Sequence, residues 1–335
     1  MSERARGPLP ATPRRQGQVD QAYSFRLGDL ECAATSTPER YAAMLAGAYG
    51  TPLVREAGEP NPEPDLRIHI REDVTPSRVS LQDRLIVRRV AGGCLLESDP
   101  VSCLVRTAVT PCEISVVVRD PALREEQLTY HFWILFNRTL LLLDRVILHA
   151  AAVVYRNSVS LFVGAKGAGK STVSIALARA GADVLAEDHL LARRADRCTM
   201  VSGCNGRMRV TAKTERHFLN GKLGPETIDV GGVAKKEFPA ARFFTTRPHE
   251  ARSVDRLFFP HVGERFAVGP LSRRDALLRL MDINGHMLRF HDTSDYADFL
   301  SRLGDLLTPL PSYDLELSPC LDDLDRLVEF LDRET

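Results

Sequence analysis

The chain has 335 residues, of which 44% are hydrophobic and 26% are charged. Its 44 basic and 44 acidic side chains cancel to a formal net charge of zero, which excludes the strongly basic surface of a dedicated nucleic-acid-binding protein. The length is sufficient for about two domains, each with its own core. Any ligand must therefore be inferred from local motifs.

The N-terminal third of the chain differs in pattern from the rest. Residues 1 to 20 are rich in proline and arginine and lack apolar periodicity, which predicts a disordered tail. Residues 21 to 122 contain short alternating apolar stretches separated by Gly, Pro and Asp, and one helical pattern near residues 39 to 48. This pattern predicts a smaller, β-rich α+β domain.

The longest apolar run spans residues 128 to 143 and is interrupted by His131, Asn137 and Arg138. It is shorter than the roughly 20 clean residues that a bilayer requires, so it predicts a buried helix. The N-terminus lacks the apolar core of a secretory signal. The seven cysteines never occur as Cys-x-x-Cys, so neither a disulfide framework nor a zinc site is indicated, and we predict a cytoplasmic protein.

From residue 123 to residue 335, apolar strands alternate with helical patterns, which predicts α/β architecture. Residues 164 to 171, here called the phosphate loop, have the sequence pattern G-x-x-x-x-G-K-S. An apolar strand pattern precedes the loop, and a helical pattern that ends at Gly181 follows it. Strand, loop and helix together form the context of a nucleotide-binding site, because glycines let backbone N–H groups converge on phosphate oxygens at a helix N-terminus.

Each position of the phosphate loop has a predicted role. Lys170 neutralises the β- and γ-phosphates, and the Ser171 hydroxyl can bind Mg²⁺. Lys166 could be catalytic or simply solvated. The predicted nucleotide-binding set is Gly164, Ala165, Lys166, Gly167, Ala168, Gly169, Lys170, Ser171 and Thr172.

Two carboxylates and a histidine are further candidates. Glu187 and Asp188 end a short apolar strand pattern, and ligands of open α/β sheets bind beyond the carboxyl ends of strands. One carboxylate could hold Mg²⁺ and the other could accept a proton, although a solvated strand end would have the same pattern. His149 lies in an apolar strand predicted to form a hairpin with residues 159 to 163, where it is either a hydrogen-bonded core residue or a functional group.

Helix start signals recur near the C-terminus of the chain. Ser272 with Asp275, Ser294, and Ser318 followed by proline each precede an apolar pattern with helical spacing. Serine at the N-cap and proline in the first turn are typical of helix starts. We expect these helices to pack on the α/β domain.

The segment His149-Ala150-Ala151, the phosphate loop, Gly181 and the acidic pair follow one another in a characteristic order. Order and spacing resemble the catalytic domain of the HPr kinase/phosphorylase superfamily, whose pattern is His-Gly or His-Ala, a hairpin, the loop, a helix ending near glycine, then Ala-Asp-Asp. Weaker matches at residues 203–210, 233–239, 257–260 and 311–315 are similar to divergent HPr-kinase-like enzymes found with peptide-tailoring genes, including lasso-peptide kinases. The resemblance covers residues 125 to 330.

The resemblance implies an α/β fold with a P-loop kinase domain of HPr-kinase/PEP-carboxykinase-like type, preceded by the β-rich domain. It implies phosphorylation of a serine hydroxyl with ATP and Mg²⁺. By position, Lys170 and Ser171 would bind nucleotide and metal, Asp188 would accept the proton, Glu187 would take the first acidic position, and His149 would approach the phosphates or the acids. Three basic residues could contact phosphates or an acidic substrate, or be surface charges: Arg209, Lys235 and Lys236.

This chain departs from the family pattern in three respects. Glu187 stands where the family usually has Asp, which leaves open which carboxylate is the base and which binds metal. The position of a further metal-binding glutamate is occupied by Lys213, with Glu215 nearby, so a second metal site and a reverse phosphorylase activity are not expected. The N-terminal domain matches no motif of HPr kinases proper, so HPr is not the expected substrate.

These features predict a Mg-ATP-dependent kinase that phosphorylates a hydroxyl of a peptide serine, as in a natural-product precursor, or of a small metabolite. One alternative is a nucleotide-binding regulatory or scaffold module without phosphotransfer. Another is a phosphoenolpyruvate-carboxykinase-like enzyme, which would need oxyacid-binding and metal-ligand residues that the sequence does not reveal. The expected partner is the hydroxyl acceptor, with neither nucleic acid nor membrane, and a homo-oligomer is compatible with the sequence.

Overall fold

The computed structural model describes residues 23–49, 51–52, 63–73, 86–97, 100–122, 124–204, 206–230, 232–285, 293–308 and 310–334. The predicted tail, residues 1 to 20, lies outside the described residues. Helices and three sheets occur together, so the mixed α/β class is confirmed. All seven cysteines are free thiols, and among the described residues no helix is both long and apolar enough to span a bilayer.

Twenty strands and seven α-helices make up the described chain. The strands are β1 (Tyr23–Leu27), β2 (Leu30–Thr37), β3 (Thr51–Pro52), β4 (Leu66–Glu72), β5 (Ile86–Val90), β6 (Gly93–Glu97), β7 (Val101–Arg106), β8 (Cys112–Val118), β9 (Val146–Tyr155), β10 (Ser158–Val163), β11 (Asp183–Ala186), β12 (His189–Ala195), β13 (Cys198–Gly203), β14 (Arg207–Val210), β15 (Ile228–Asp229), β16 (Ala234–Pro239), β17 (Arg252–Ser253), β18 (Arg256–Val262), β19 (Ala267–Pro270) and β20 (Ser312–Leu317). The helices are α1 (Arg40–Tyr49), α2 (Glu125–Leu142), α3 (Lys170–Arg179), α4 (Ala212–Leu219), α5 (Arg273–Asn284), α6 (Thr293–Leu307) and α7 (Asp325–Arg333).

The first sheet has the strand order β3-β1-β2-β4-β8-β7-β6-β5. Its centre is parallel, because β4 pairs in parallel with both β2 and β8, and its outer strands pair antiparallel. Buried and partly exposed residues alternate along β8, as expected for a strand with one face on a core. Helix α1 packs its Tyr41 and Leu45 side chains into this core.

Helix α2 is the buried helix predicted from the long apolar run, and its existence is confirmed. Its apolar side chains at a spacing of four residues lie in the core of the first sheet, which also includes Ile147 and Leu191 of the second sheet. These side chains are Leu128, Phe132, Phe136 and Leu140. The predicted domain limit between residues 122 and 123 remains a prediction, since α2 follows that limit in sequence but shares the core of the sheet before it.

The second sheet has the order β17-β13-β12-β9-β10-β18-β20-β19, with β11 also paired to β9. Strands β9 and β10 form the predicted hairpin. Strands β10 and β11 run in the same direction, because each pairs antiparallel with β9. Their carboxyl ends therefore lie at the same edge of the sheet. A small third sheet, β14-β16-β15, lies outside this pairing.

The C-terminal helices cover the second sheet. Ser272 caps α5 as predicted, because its hydroxyl accepts a hydrogen bond from the Asp275 N–H at 3.1 Å. Helix α6 spans nearly the predicted residues. The predicted start of the last helix at Ser318 is wrong: residues 321 to 324 form a 3₁₀ turn, and α7 begins only at Asp325. Ser318 instead accepts the Cys320 N–H at 2.9 Å, which fixes the turn before it.

Candidate functional site

The phosphate loop connects the end of β10 to the start of α3, so the structure has the predicted strand before the loop and the predicted helix after it. Gly167 and Gly169 have left-handed φ values of 85° and 99°. A Cβ at Gly169 would also overlap the Leu317 side chain, so only glycine fits there. The loop thus curls tightly into α3, whose first N–H groups have no partner within the helix. Residues 166 to 172 line a large cavity.

The acidic pair follows β11 directly, at the sheet edge where β10 ends. The Ser171 hydroxyl donates a hydrogen bond to Glu187 Oε1. Asp188 has a φ of 80°, a left-handed conformation that costs a non-glycine residue on the order of 1–3 kcal/mol. Its carbonyl oxygen accepts the Ala150 N–H at 3.1 Å. Pairing with β9 therefore holds a strained turn that places Asp188 beside the loop.

A chain of contacts joins Lys170 to Asp188 through His149. Lys170 Nζ lies 3.0 Å from His149 Nε2, and His149 Nδ1 lies 3.1 Å from Asp188 Oδ1. Because an ammonium group has only donors, Nε2 is the acceptor and Nδ1 carries the proton that faces Asp188. The His149 backbone N–H donates to Asn284 Oδ1 at 2.7 Å. His149 thus connects the loop lysine with the acid and is not simply a core residue.

The Lys170 side chain is buried against the phosphate loop. Its ammonium donates to the carbonyl oxygens of Gly164 at 2.6 Å and Ala165 at 3.3 Å. Burial lowers the pKa of Lys170, and the charges of Glu187 and Asp188 oppose that shift. The ammonium therefore lies between backbone acceptors and the acidic pair, where an incoming anion would find a poorly solvated cation.

The Asp188 carboxylate is surrounded by cationic or proton-donating groups. Arg209 donates to Oδ2 at 3.0 Å, and His189 Nδ1 lies 3.6 Å from the same oxygen. Burial raises the pKa of Asp188, but the hydrogen bond from His149 and the positive charge of Arg209 oppose this effect, and the pKa is held below its usual value. Asp188 is therefore ionised at neutral pH and can accept a hydrogen bond from a hydroxyl.

Glu187 differs from Asp188 in its environment. It is only 4% exposed, and its Oε2 atom is buried with no hydrogen-bond partner among the described residues. Burial raises the pKa of Glu187, the hydrogen bond from Ser171 opposes this shift, and the charge of Asp188 adds to it. A buried carboxylate oxygen beside a serine hydroxyl is the oxygen donor set that Mg²⁺ takes. Ser171 and Glu187 therefore fit the predicted metal.

A second group of ligating atoms lies next to this pair. His149, Asp188 and His189 each offer one atom within 4.8 Å of the others. Imidazole nitrogens suit transition metals better than Mg²⁺. Lys170 and Arg209 contact His149 and Asp188, and their charges disfavour a cation there. For Mg²⁺, the Ser171 and Glu187 oxygens are the better match.

Arg209 is the candidate phosphate contact that the structure brings to the acidic pair. It lies on β14 opposite Glu237 of β16 and donates from Nε to Glu237 Oε2 at 2.7 Å. Arg207 pairs with the other oxygen of Glu237 at 2.6 Å. Both arginines line the cavity. Glu237 thus orients Arg209 toward Asp188.

The two candidate lysines of β16 have different environments. Lys235 belongs to the cavity lining, whereas Lys236 pairs with the buried Glu215 at 3.1 Å and is not among the described lining residues. Lys213 donates to the Pro319 carbonyl at 2.8 Å. Neither Lys213 nor Glu215 therefore takes the place of a further metal-binding glutamate at the cavity. Lys166 lines the cavity and contacts the Val230 carbonyl.

The cavity has a volume of about 1470 Å³ and two chemically different sides. One side consists of the phosphate loop, the acidic pair and the basic residues described above. The other side includes Thr129, Tyr130 and Trp133 of α2. The two sides are connected where the Trp133 ring contacts His189, which lies beside Asp188.

Sequence reasoning missed several residues of this cavity. His189 comes directly after the acidic pair, and its position next to Asp188 was the available signal. Glu237 could be inferred only once β14 and β16 were known to pair. Tyr130 and Trp133 lie within the apolar run that predicts a core helix, so the sequence does not distinguish them from core residues.

No family model and no curated protein matches the chain. Among solved structures, the chain is similar to the Hpr(Ser) kinase/phosphatase from Coxiella burnetii, with 12% sequence identity and a TM-score of 0.30, over 56% of this chain and 94% of that chain. This likeness concerns the fold alone and is too weak to carry an argument about function. The conclusion that follows rests on the geometry of the cavity.

Proposed function

We propose that the protein is a Mg²⁺- and ATP-dependent kinase that transfers the γ-phosphoryl group of ATP to a hydroxyl. The acceptor hydroxyl belongs to a peptide serine or to a small metabolite. One observation carries the proposal: the phosphate loop contacts both carboxylates at one cavity. Lys170 contacts Asp188 through His149, and Ser171 contacts Glu187 directly. A nucleotide switch needs the loop but does not need an ionised carboxylate held in a strained conformation beside it.

The phosphate loop would hold the triphosphate. Backbone N–H groups of the loop and of the α3 N-terminus would donate to phosphate oxygens, and Lys170 would neutralise the β- and γ-phosphates. Ser171 and Glu187 would hold Mg²⁺, which supplies charge neutralisation on the same phosphates. Glu187, whose pKa is raised by burial, gains a charged partner in this arrangement.

Asp188 would act on the acceptor. The acceptor oxygen forms the new bond to the γ-phosphorus, the bond from that phosphorus to the β–γ bridging oxygen breaks, and its electron pair leaves with ADP. The acceptor proton passes to an Asp188 carboxylate oxygen. Because the pKa of Asp188 is held low, we infer that it mainly orients the hydroxyl and receives the proton late. Phosphoryl transfer tolerates this, since positioning and charge neutralisation provide most of the acceleration.

The test uses Lys170→Ala beside Lys222→Ala, which removes an equal charge from an exposed lysine that does not line the cavity. Calorimetric titration with Mg·ATP and transfer of labelled γ-phosphate to serine peptides are measured for each. We expect Lys170→Ala to lower the transfer rate about 100-fold or more, and Lys222→Ala to behave as the wild type. Transfer undiminished in Lys170→Ala, or no binding of Mg·ATP to folded wild type, would refute the proposal. Normal binding with no labelled product from peptides or small hydroxyl compounds would favour the alternative of a nucleotide-binding module.

A further inference from the structure

Helix α2 has two faces with different partners. Its core face packs under the first sheet, as described above. Thr129, Tyr130 and Trp133, which are neighbours because they lie one helical turn apart, line the cavity, and Trp133 also packs against the edge of that core. Tyr130 is 48% exposed. The helix therefore presents an aromatic surface to the same cavity that the phosphate loop enters.

The side chain of His189 connects this aromatic surface to Asp188, the proposed proton acceptor. The Trp133 and His189 rings are in edge contact, with centroids 4.9 Å apart and planes at 65°. His189 Nδ1 in turn lies 3.6 Å from Asp188 Oδ2. A group whose hydroxyl reached Asp188 would thus place its neighbouring atoms against the indole of Trp133.

The size of the cavity leaves room for such a group. A single small-molecule site typically measures about 300–1,000 Å³, whereas this cavity measures about 1470 Å³. A nucleotide on the phosphate loop therefore does not fill it. Thr129, Tyr130 and Trp133 of α2 line part of the surface that remains.

The chemistry of the α2 residues in the cavity favours one kind of acceptor. The three residues of α2 that line the cavity, Thr129, Tyr130 and Trp133, are uncharged. They offer no counter-ion to a phosphorylated or carboxylated metabolite, and the cavity residues Arg207 and Arg209 already pair with carboxylates. Indole and phenol rings instead bury apolar surface and stack on aromatic or aliphatic side chains.

We propose that Tyr130 and Trp133 form the acceptor subsite, and that the acceptor is a peptide whose phosphorylated serine is flanked by an aromatic or aliphatic residue. This inference rests on the proposed kinase function and names its substrate class. The flanking side chain packs on the two rings of α2, and this contact brings the serine hydroxyl to Asp188.

The chain contains one tryptophan and seven tyrosines, so fluorescence excited selectively at the indole reports on Trp133 alone. The probes are blocked tripeptides with a central serine, flanked on both sides by Phe, Leu, Gly or Asp. Each is titrated into protein saturated with Mg²⁺ and a non-hydrolysable ATP analogue. We expect the Phe and Leu peptides to shift the emission to the blue and to reduce iodide quenching, with an affinity at least about tenfold above that of the Asp peptide.

Steady-state transfer to the same peptides gives the second readout. Trp133→Ala and Tyr130→Ala should raise KM for the Phe peptide about tenfold and remove its advantage over the Gly peptide, while Trp133→Phe retains that advantage. The exposed Tyr130 provides a variant that leaves the core intact. Glu125→Ala, at the exposed first turn of α2, is the matched control and should leave the KM of every peptide unchanged.

Different failures have different meanings. Equal affinity for all four peptides, an unchanged KM in both alanine variants, or transfer only to small hydroxyl compounds would each overturn the subsite while Mg·ATP binding stayed normal. If wild-type protein bound no Mg·ATP, the proposed function would fail and the subsite with it. Calorimetry of Mg·ATP separates the two cases.

Discussion

Two carboxylates of this protein have similar electrostatic surroundings in very different places. Asp29 lies where the first sheet meets the second, and it accepts hydrogen bonds from Arg145 at 3.3 Å and Arg193 at 3.2 Å. Its backbone N–H donates to the Ser202 hydroxyl at 2.9 Å. Burial raises the pKa of Asp29, but the charges and hydrogen bonds of the two arginines outweigh it and hold the pKa below its usual value.

Asp188 also has a pKa held low by neighbouring donors, yet it differs from Asp29 in two respects. Its backbone is left-handed, with φ of 80°, and its side chain lines the cavity beside the phosphate loop. Asp29 is not among the described residues of that cavity. A lowered pKa therefore identifies a carboxylate held in its charged form, and backbone strain and access to a ligand indicate which one has a chemical task.

The largest expected effect comes from Asp188→Asn. The amide keeps the size of the side chain but cannot take up the acceptor proton, so we expect the transfer rate to fall about 100-fold or more. Mg·ATP affinity should stay close to wild type, whereas the midpoint of thermal unfolding should fall, because Arg209 and His149 lose the carboxylate whose pKa they lower. Single-turnover transfer measures the rate, calorimetric titration measures the Mg·ATP affinity, and scanning calorimetry measures the midpoint of unfolding. A full transfer rate would remove the base role, and a loss of Mg·ATP affinity would assign Asp188 to the metal instead.

Glu187→Gln should have a smaller and more selective effect. The amide oxygen can still accept the Ser171 hydroxyl, but the negative charge facing the metal is lost. We expect the Mg²⁺ concentration for half-maximal nucleotide binding to rise about tenfold or more, with little change in the metal-free affinity for ATP. A Mg²⁺ titration at fixed ATP measures this, with the exposed Glu125→Gln as control. An unchanged Mg²⁺ requirement would exclude Glu187 as a ligand.

The local features of this site could be predicted from the sequence. The phosphate loop, its flanking strand and helix, the β9–β10 hairpin and the Ser272 cap all depend on residues close together in the chain. Each follows from glycine conformation, apolar periodicity or capping chemistry. The position of Glu187 and Asp188 beside the loop also followed, because strands of one direction end at one edge.

The remaining features depend on pairing between distant segments. His149 lies opposite His189 because β9 pairs with β12 in one particular register, and a single sequence does not specify that register. Lys235 and Lys236 differ because consecutive strand residues point to opposite faces, and the inward face of β16 was unknown. The apolar run of α2 concealed Trp133, since an aromatic residue on an apolar helix suits a core and a ligand surface equally well.

Asp29→Asn should lower stability without lowering the transfer rate, in contrast to Asp188→Asn. It leaves Arg145 and Arg193 without their shared anion at a partly buried junction, where the Asp29 side chain is 17% exposed. We expect the free energy of unfolding at neutral pH to fall by about 1–2 kcal/mol, between the values for exposed and fully buried pairs. The transfer rate should remain at the wild-type level. Urea unfolding and the transfer assay test the two halves of this expectation.

The pH dependence of that loss decides whether charge is its cause. Because the pKa of Asp29 is lower in the folded protein, the unfolded chain binds more protons at acid pH, so the contribution of Asp29 is present above the unfolded pKa of about 3.9 and is lost as pH falls below it. The difference in unfolding free energy between wild type and Asp29→Asn should therefore be constant near neutral pH and shrink toward pH 3. Asp188 titrates in both proteins and cancels in the difference. A difference that persisted unchanged at pH 3 would show that Asp29 stabilises the junction through packing and neutral hydrogen bonds. Asp29 and Asp188 would then share similar hydrogen-bond partners but not a stabilising negative charge.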